Sequence, residues 1–169
     1  LSVVNLTSDT LNKFLMVGYR WDMNVEENID FINKSEREKF WHRVQKDSKK
    51  HACTGIDYFV YRKNQWKNIP DFIMGFPGYD NWMIWNARRK RIPILDASNL
   101  VHAIHQNHDV PRYKMHDEKT GKFKEIKRNQ EVNKPLYKAR RLNLLDCTHT
   151  IINGEKLKIN ERNSKIRYW

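Results

Sequence analysis

The side chains best suited to chemistry gather between Asp80 and His108. In Phe76-Pro-Gly-Tyr-Asp-Asn-Trp-Met-Ile-Trp-Asn-Ala-Arg88, glycine and proline make a loop and Asp80 stands where a helix should begin. Trp82 and Trp85 are three residues apart and so share one side of that helix. A carboxylate at a loop–helix junction beside an aromatic wall can take a proton from a bound hydroxyl. The same residue can simply cap the helix, and the two indoles can fill a core as well as stack on a sugar. His102, His105 and His108 follow downstream. His105-Gln-Asn-His108 places two imidazoles three apart, which with a carboxylate such as Asp80 or Asp109 can hold a divalent metal. The motif lacks the His-Glu-x-x-His context of a zinc protease.

Upstream, two further carboxylates sit in apolar surroundings. Asp57 lies inside Gly55-Ile-Asp-Tyr-Phe-Val-Tyr61, and an acid in a buried strand needs a partner or a task. Arg20 and Asp22 follow the apolar run Phe14 to Gly18, where ligands gather beyond the carboxyl ends of strands in open α/β sheets. A surface ion pair explains them equally well.

These residues need elements to hold them. Phe14-Leu-Met-Val-Gly18 reads as a buried strand. Ser35-Glu-Arg-Glu38 reads as a capping box opening a helix to about Lys50, with Phe40, Trp41 and Val44 on its core face and Lys46 to His51 as its solvated end. Gly55 to Tyr61 is the clearest strand, rich in β-branched and aromatic residues. A loop from Asp71 to Tyr79 leads to a helix from about Asp80 to Lys90. Pro93 makes the strand Ile92 to Leu95 short or an edge. Ser98 to Asn107 fits helix or strand, and the composition favours a strand passing into a loop near Gln106-Asn107. Asn153-Gly154 signals a tight hairpin between Thr150-Ile-Ile and Lys156-Leu-Lys-Ile.

The expected architecture is α/β: one domain over 1–169, with an α/β core at 14–109, a long basic loop or flap at 110–141, a C-terminal hairpin at 142–159 and a loose basic tail at 160–169. A chain of 169 residues, 39% hydrophobic and 12% aromatic, has the means to bury a core and is not composed like a disordered one. Its 32 Lys and Arg against 20 acids give +12, which favours an anionic partner. Cys53 and Cys147 show no paired spacing, so the default is a reduced, cytoplasmic setting. No run is long and apolar enough for a transmembrane segment. No phosphate loop, dinucleotide fingerprint or nucleophile elbow is present.

The order of motifs carries a resemblance. Phe14-Leu-Met-Val-Gly-Tyr-Arg-Trp-Asp22, Gly55 to Tyr61, Gly78-Tyr-Asp-Asn-Trp82, Ile92-Pro-Ile-Leu-Asp-Ala97 and Ala103-Ile-His-Gln-Asn-His-Asp109 together resemble the C-terminal half of a group of GT-A-like glycosyltransferases. Asp146-Cys-Thr-His149 resembles the short motif near that group's end. The resemblance implies a partial GT-A-like mixed sheet with flanking helices and metal-assisted sugar transfer from a nucleotide-sugar donor to a hydroxyl acceptor. By the same carry-over Asp80 is the base. Trp21, Asp22, Asp57, Asn81 and Trp82 bind substrate. His105 and His108 contact a divalent metal, Mn or Mg, or the pyrophosphate. No Asp-x-Asp motif precedes Phe14, so the expectation is an acceptor-side half that needs a nucleotide-binding segment. The alternative is a non-enzymatic nucleic-acid-binding module resting on +12, Arg88 to Arg91 and Lys134 to Arg141. A His-metal nuclease is a weaker third reading.

Overall fold

The computed structural model describes residues 2–73, 78–108, 128–129, 131, 142–152 and 158–162. In chain order these form α1 (Ser2–Thr10), β1 (Leu15–Val17), β2 (Arg20–Met23), α2 (Lys34–Asp47), β3 (Lys49–Lys50), α3 (Tyr79–Arg89), β4 (Ile94–Asp96), β5 (Ala103–Gln106), a 3-10 turn (Leu144–Asp146), β6 (His149–Ile152) and β7 (Lys158–Glu161). The α/β expectation holds. The strands form two mixed sheets, one of order β1-β4-β6-β7 and one of order β3-β2-β5. β1, β4 and β6 run parallel, and β7 returns antiparallel to β6. β2 and β5 are parallel, with β3 antiparallel along the other side of β2.

The first sheet is the core. β1 and β4 are buried at every position, as parallel strands covered on both faces should be. Their side chains alternate. Leu15, Val17 and Ile94 meet Met83, Ile84 and Ala87 of α3 on one face, while Phe14, Met16 and Leu95 meet Ile151 on the other. α3 starts at Tyr79 behind Gly78, whose φ of 125° excludes most L side chains. Asp80 is therefore inside the first helical turn rather than the cap, where its charge suits the positive end of the helix dipole.

The chain passes from the first sheet to the second at Gly18-Tyr19. A Cβ on Gly18 would lie 2.0 Å from the Tyr58 hydroxyl, so the crossing needs glycine. The parallel register pairs Arg20 with Ala103 and Asp22 with His105, so these point to one face of the small sheet. Met23 faces the other way, where Phe40 and Val44 of α2 cover it together with Ile104. Burying Phe40 and Val44 contributes about 1.5–3 kcal/mol each. α2 thus seals one face of the small sheet and leaves the polar face open.

Several expectations are corrected. Gly55 to Tyr61 is not a strand; it makes a single bridge, Val60 to Met16. The reason is geometric: Gly55 O accepts from Arg20 N of the small sheet while Val60 bonds Met16 of the large one, so the segment spans two sheets and builds no ladder. Of the two alternatives for the Pro93 strand the short one holds: β4 has three residues and is interior, because Pro93 stands just before it and needs no N–H there, and the Pro93 carbonyl accepts from Leu15 N. α2 is capped by Asn33, whose side chain accepts from Ser35 N and Glu36 N, and Ser35 lies inside the helix. It ends at Asp47, where both the Ser48 amide and hydroxyl bond Val44 O and release Lys49-Lys50 into β3. β6 and β7 pair antiparallel, Ile152 opposite Lys158, and the Asn153-Gly154 turn expected between them lies outside the described residues. The tail expected to be loose begins inside β7, and Arg162 is anchored to Asp96, Thr150 and Leu144 O. Of the 110–141 flap only 128–129 and 131 are described. There Asn129 is fully buried and bonds both backbone groups of Ile73, at 2.9 and 3.0 Å. No helix among the described residues is long and apolar enough to cross a membrane.

Candidate functional site

The open face of the small sheet carries five charged or titratable side chains in one chain of contacts. His105 Nδ1 lies 2.6 Å from Asp57 Oδ2. Asp57 Oδ1 accepts from an Arg20 guanidinium nitrogen at 3.2 Å. Arg20 Nε lies 3.0 Å from Asp22 Oδ1, and Asp22 Oδ2 lies 2.6 Å from His51 Nδ1. Two histidine–aspartate pairs therefore share one arginine.

Each member is placed by local structure. Arg20, Asp22 and His105 come from paired positions on β2 and β5. The antiparallel register of β3 carries His51 opposite Arg20, and His51 N bonds Arg20 O. Asp57 comes from the segment that crosses between the sheets. Gly55 lies under the His51 ring: a Cβ there would sit 2.3 Å from His51 Cδ2 and 2.8 Å from Cγ. The ring thus rests on the glycine and is held edge-on to Asp22.

The electrostatics fix the proton positions. Burial opposes ionisation of Asp22, but the His51 hydrogen bond and the Arg20, His51 and His105 charges outweigh it and hold its carboxyl below its ordinary value. An ionised carboxylate only accepts, so His51 donates from Nδ1 and its Nε2 is left open. The longer approach of Arg20 to the same nitrogen, 3.4 Å, joins two donors and adds no hydrogen bond. His105 turns the same nitrogen, Nδ1, to Asp57 Oδ2 at 2.6 Å, and its Nε2 is the ring nitrogen left for a ligand. The His51 and His105 side chains are 34% and 25% exposed, enough for a ligand to reach both.

An open groove of ≈ 680 Å³ borders the network at Asp22. It lies past the carboxyl ends of β2 and β5, where Asn24 and Asn107 follow the strands and bond each other at 2.7 Å. Glu26, Asp47 and Lys49 also line it. Such a position is where parallel α/β sheets gather ligands.

The residues singled out from sequence divide into two groups. Asp22, Asp57 and His105 are brought together, and His108 stands beside them with its ring centroid 5.3 Å from that of His105. Trp21 points to the opposite side of β2 from its neighbours and meets His102 edge-on at 5.4 Å. Trp82 is buried against Phe72, and Asn81 is buried with its amide donating to Leu142 O at 2.7 Å. Both serve the α3 core. Asp80 is half-buried in the first turn of α3 and is not among the partners of Arg20, Asp22, His51, Asp57 or His105 given above. Among the described residues no three His, Cys, Asp or Glu side chains group to hold a metal ion. His105 and His108 offer two imidazoles, and Asp109 lies outside the described residues. In the Arg88 to Arg91 cluster, Arg89 lies 4.8 Å over the Trp85 ring and Lys90 5.4 Å from that of Trp66, so two of its cations rest on the protein's own aromatics.

Sequence reasoning missed His51 and weighed Arg20 without joining it to Asp57. His51 closes a run of lysines that looks like a solvated helix end, and no spacing ties it to Asp22. Comparisons with protein families, curated proteins and solved structures find nothing that matches the chain.

Proposed function

We propose that the chain is the acceptor-side part of a glycosyltransferase that moves a sugar from a nucleotide-sugar to a hydroxyl. One observation carries the reading: Asp22, Asp57 and His105, picked out by motif order from three distant segments, converge on one open sheet face beside a polar groove. In this reading His105, oriented by Asp57, and the neighbouring His108 contact the diphosphate of the donor. Two adjacent imidazoles can each donate to one phosphoryl group. Arg20 lies between Asp57 and Asp22 and contacts both carboxylates. The described residues do not supply the donor set of the divalent ion that the resemblance implies, and no step is routed through one here.

The test follows the His105 and His108 ring signals by NMR while the chain is titrated with a panel of nucleotide-sugars and, separately, inorganic pyrophosphate. Saturable shifts at both rings, weakened in His105→Gln and in Asp57→Asn, are expected. A chain that binds no member of the panel and no pyrophosphate refutes the proposal. Affinity for an oligonucleotide at low salt, with both rings unmoved, would favour the nucleic-acid alternative instead.

A further inference from the structure

We infer that His51, oriented by Asp22, is the proton acceptor of this site, and that the groove beside it takes a neutral, hydroxyl-rich acceptor. The inference rests on the glycosyl-transfer reading above and replaces Asp80 as base.

Three observations carry it. The first is orientation. His51 donates from Nδ1 to Asp22 at 2.6 Å and is propped by Gly55, so its free Nε2 is held in one direction, as a general base requires. The groups facing the ring are Asp22 and Arg20 from β2 and Gly55 beneath it, while Lys50, beside it in the chain, lies 3.7 Å over the Tyr19 ring. The second is position. Asp22 belongs both to the pair with His51 and to the wall of the groove, so a ligand seated there lies next to this pair. The His105 pair carries His108 on its side instead, and the two sites fall on opposite sides of β2.

The third is the chemistry of the lining. Glu26 and Asp47 make no ion pair or hydrogen bond among the described residues; of the two cations on the same wall Arg43 is paired with Glu27, which leaves Lys49 against the acids Asp22, Glu26 and Asp47. Ionised carboxylates accept hydrogen bonds and cannot donate them, and they repel anions. With the amides of Asn24 and Asn107 they make a surface rich in acceptors. A ligand that brings many O–H donors and no negative charge fits it. A volume of ≈ 680 Å³ lies within the range of small-molecule sites, about 300–1,000 Å³, while the polar lining disfavours an apolar ligand.

The step balances without another reactant. The acceptor hydroxyl gives its proton to His51 Nε2, and its oxygen forms the new bond to the anomeric carbon of the donor. The bond from that carbon to the diphosphate breaks, and its electron pair leaves with the diphosphate at His105 and His108.

The experiment has a binding arm and a turnover arm, both on the whole chain. Neutral di- and trisaccharides are titrated in while the His51 and His105 ring signals are read separately. His51, Asn24 and Asn107 should shift, and His105 should not. Asp47→Asn should weaken saccharide binding by about threefold or more and leave pyrophosphate binding unchanged. In transfer assays His51→Gln should retain saccharide binding, lose about 100-fold or more in rate and lose the acidic limb of the pH–rate profile. Saccharides that perturb His105 instead of His51, or His51→Gln with an unchanged rate and pH profile, overturn this inference and leave the glycosyl-transfer reading standing. Saccharide binding at His51 without any nucleotide-sugar or pyrophosphate binding refutes that reading and reduces the groove to a saccharide site without transfer, which also overturns the catalytic role of His51.

Discussion

Replacing Gly55 by Ala tests the geometry of the site with one methyl group. The new Cβ would stand 2.3 Å from His51 Cδ2, whereas ordinary contacts begin at 3.4 Å, so the ring must retreat by roughly 1 Å. A hydrogen bond that starts at 2.6 Å does not survive that shift, so His51 loses Asp22. A charge-assisted bond of this kind contributes about 1.5–3 kcal/mol when buried. With the His51 side chain 34% exposed, solvent screening reduces it to about 1 kcal/mol. Gly55 does not adopt positive φ, so alanine fits its backbone and returns about 0.4–1 kcal/mol by restricting the unfolded chain. Unfolding free energy should therefore change by less than about 1 kcal/mol, while the His51 ring spectrum changes outright. Urea denaturation and long-range nitrogen–proton NMR of the imidazoles measure the two effects. A variant in which His51 Nδ1 still bonds Asp22 with unchanged ring signals would refute the reasoning that glycine seats the ring.

Other expectations follow from the same contacts. The Asp22 carboxyl is held below its ordinary value in the folded chain, so its pairing stabilises the protein above the unfolded carboxylate range and is lost as pH falls through the lowered folded value. Urea midpoints should drop below about pH 4 in the wild type and more weakly in Asp22→Asn; an equal slope in both removes Asp22 as the cause. Burial lowers the His149 pKa against the opposing charge of Glu161, so the unfolded chain takes up a proton that the folded chain resists. Stability should fall as pH drops below 6.5, and His149→Gln should flatten that part of the curve. Asn129→Ala leaves the Ile73 N–H and C=O without their side-chain partner and should cost about 2–3 kcal/mol in urea unfolding; a loss under 0.5 kcal/mol (about the size of a neutral surface change) would mean the contact carries no weight.

Much of the scaffold was legible because local physics is enough to specify it. The apolar run of β1 leaves no polar face and so announces a strand buried on both sides. α3 announces itself by a glycine–proline loop before it, an acid at its start and arginines in its last turn. Asp22 and Asp57 were legible as charges in apolar company. Gly55 to Tyr61 was misread because β-branched and aromatic composition reports a half-buried surface, not a hydrogen-bonding partner. Pro93 pointed to a strand either short or at an edge, and could not tell the two apart, because a proline just before a strand looks, in sequence, like one within it. Trp82 and Trp85 look like an aromatic wall from their spacing, yet both pack on the core, because packing decides which side of a helix faces it.

The sequence alone therefore determined the α/β class, the first buried strand, the helices of Lys34–Asp47 and Tyr79–Arg89 to within a few residues, and the charges that needed partners. The tertiary structure decided which partners they found. His51, Asp57 and His105 lie 29, 35 and 83 residues from Asp22. Only the parallel register of β2 with β5, the antiparallel return of β3 and the crossing segment bring them onto one face. No local periodicity encodes such a meeting, because it depends on which strands pair and in what register. The Asp80 stretch is legible as a candidate because acid and indoles are neighbours in the chain, whereas the histidine–aspartate pairs exist only once the two sheets have formed.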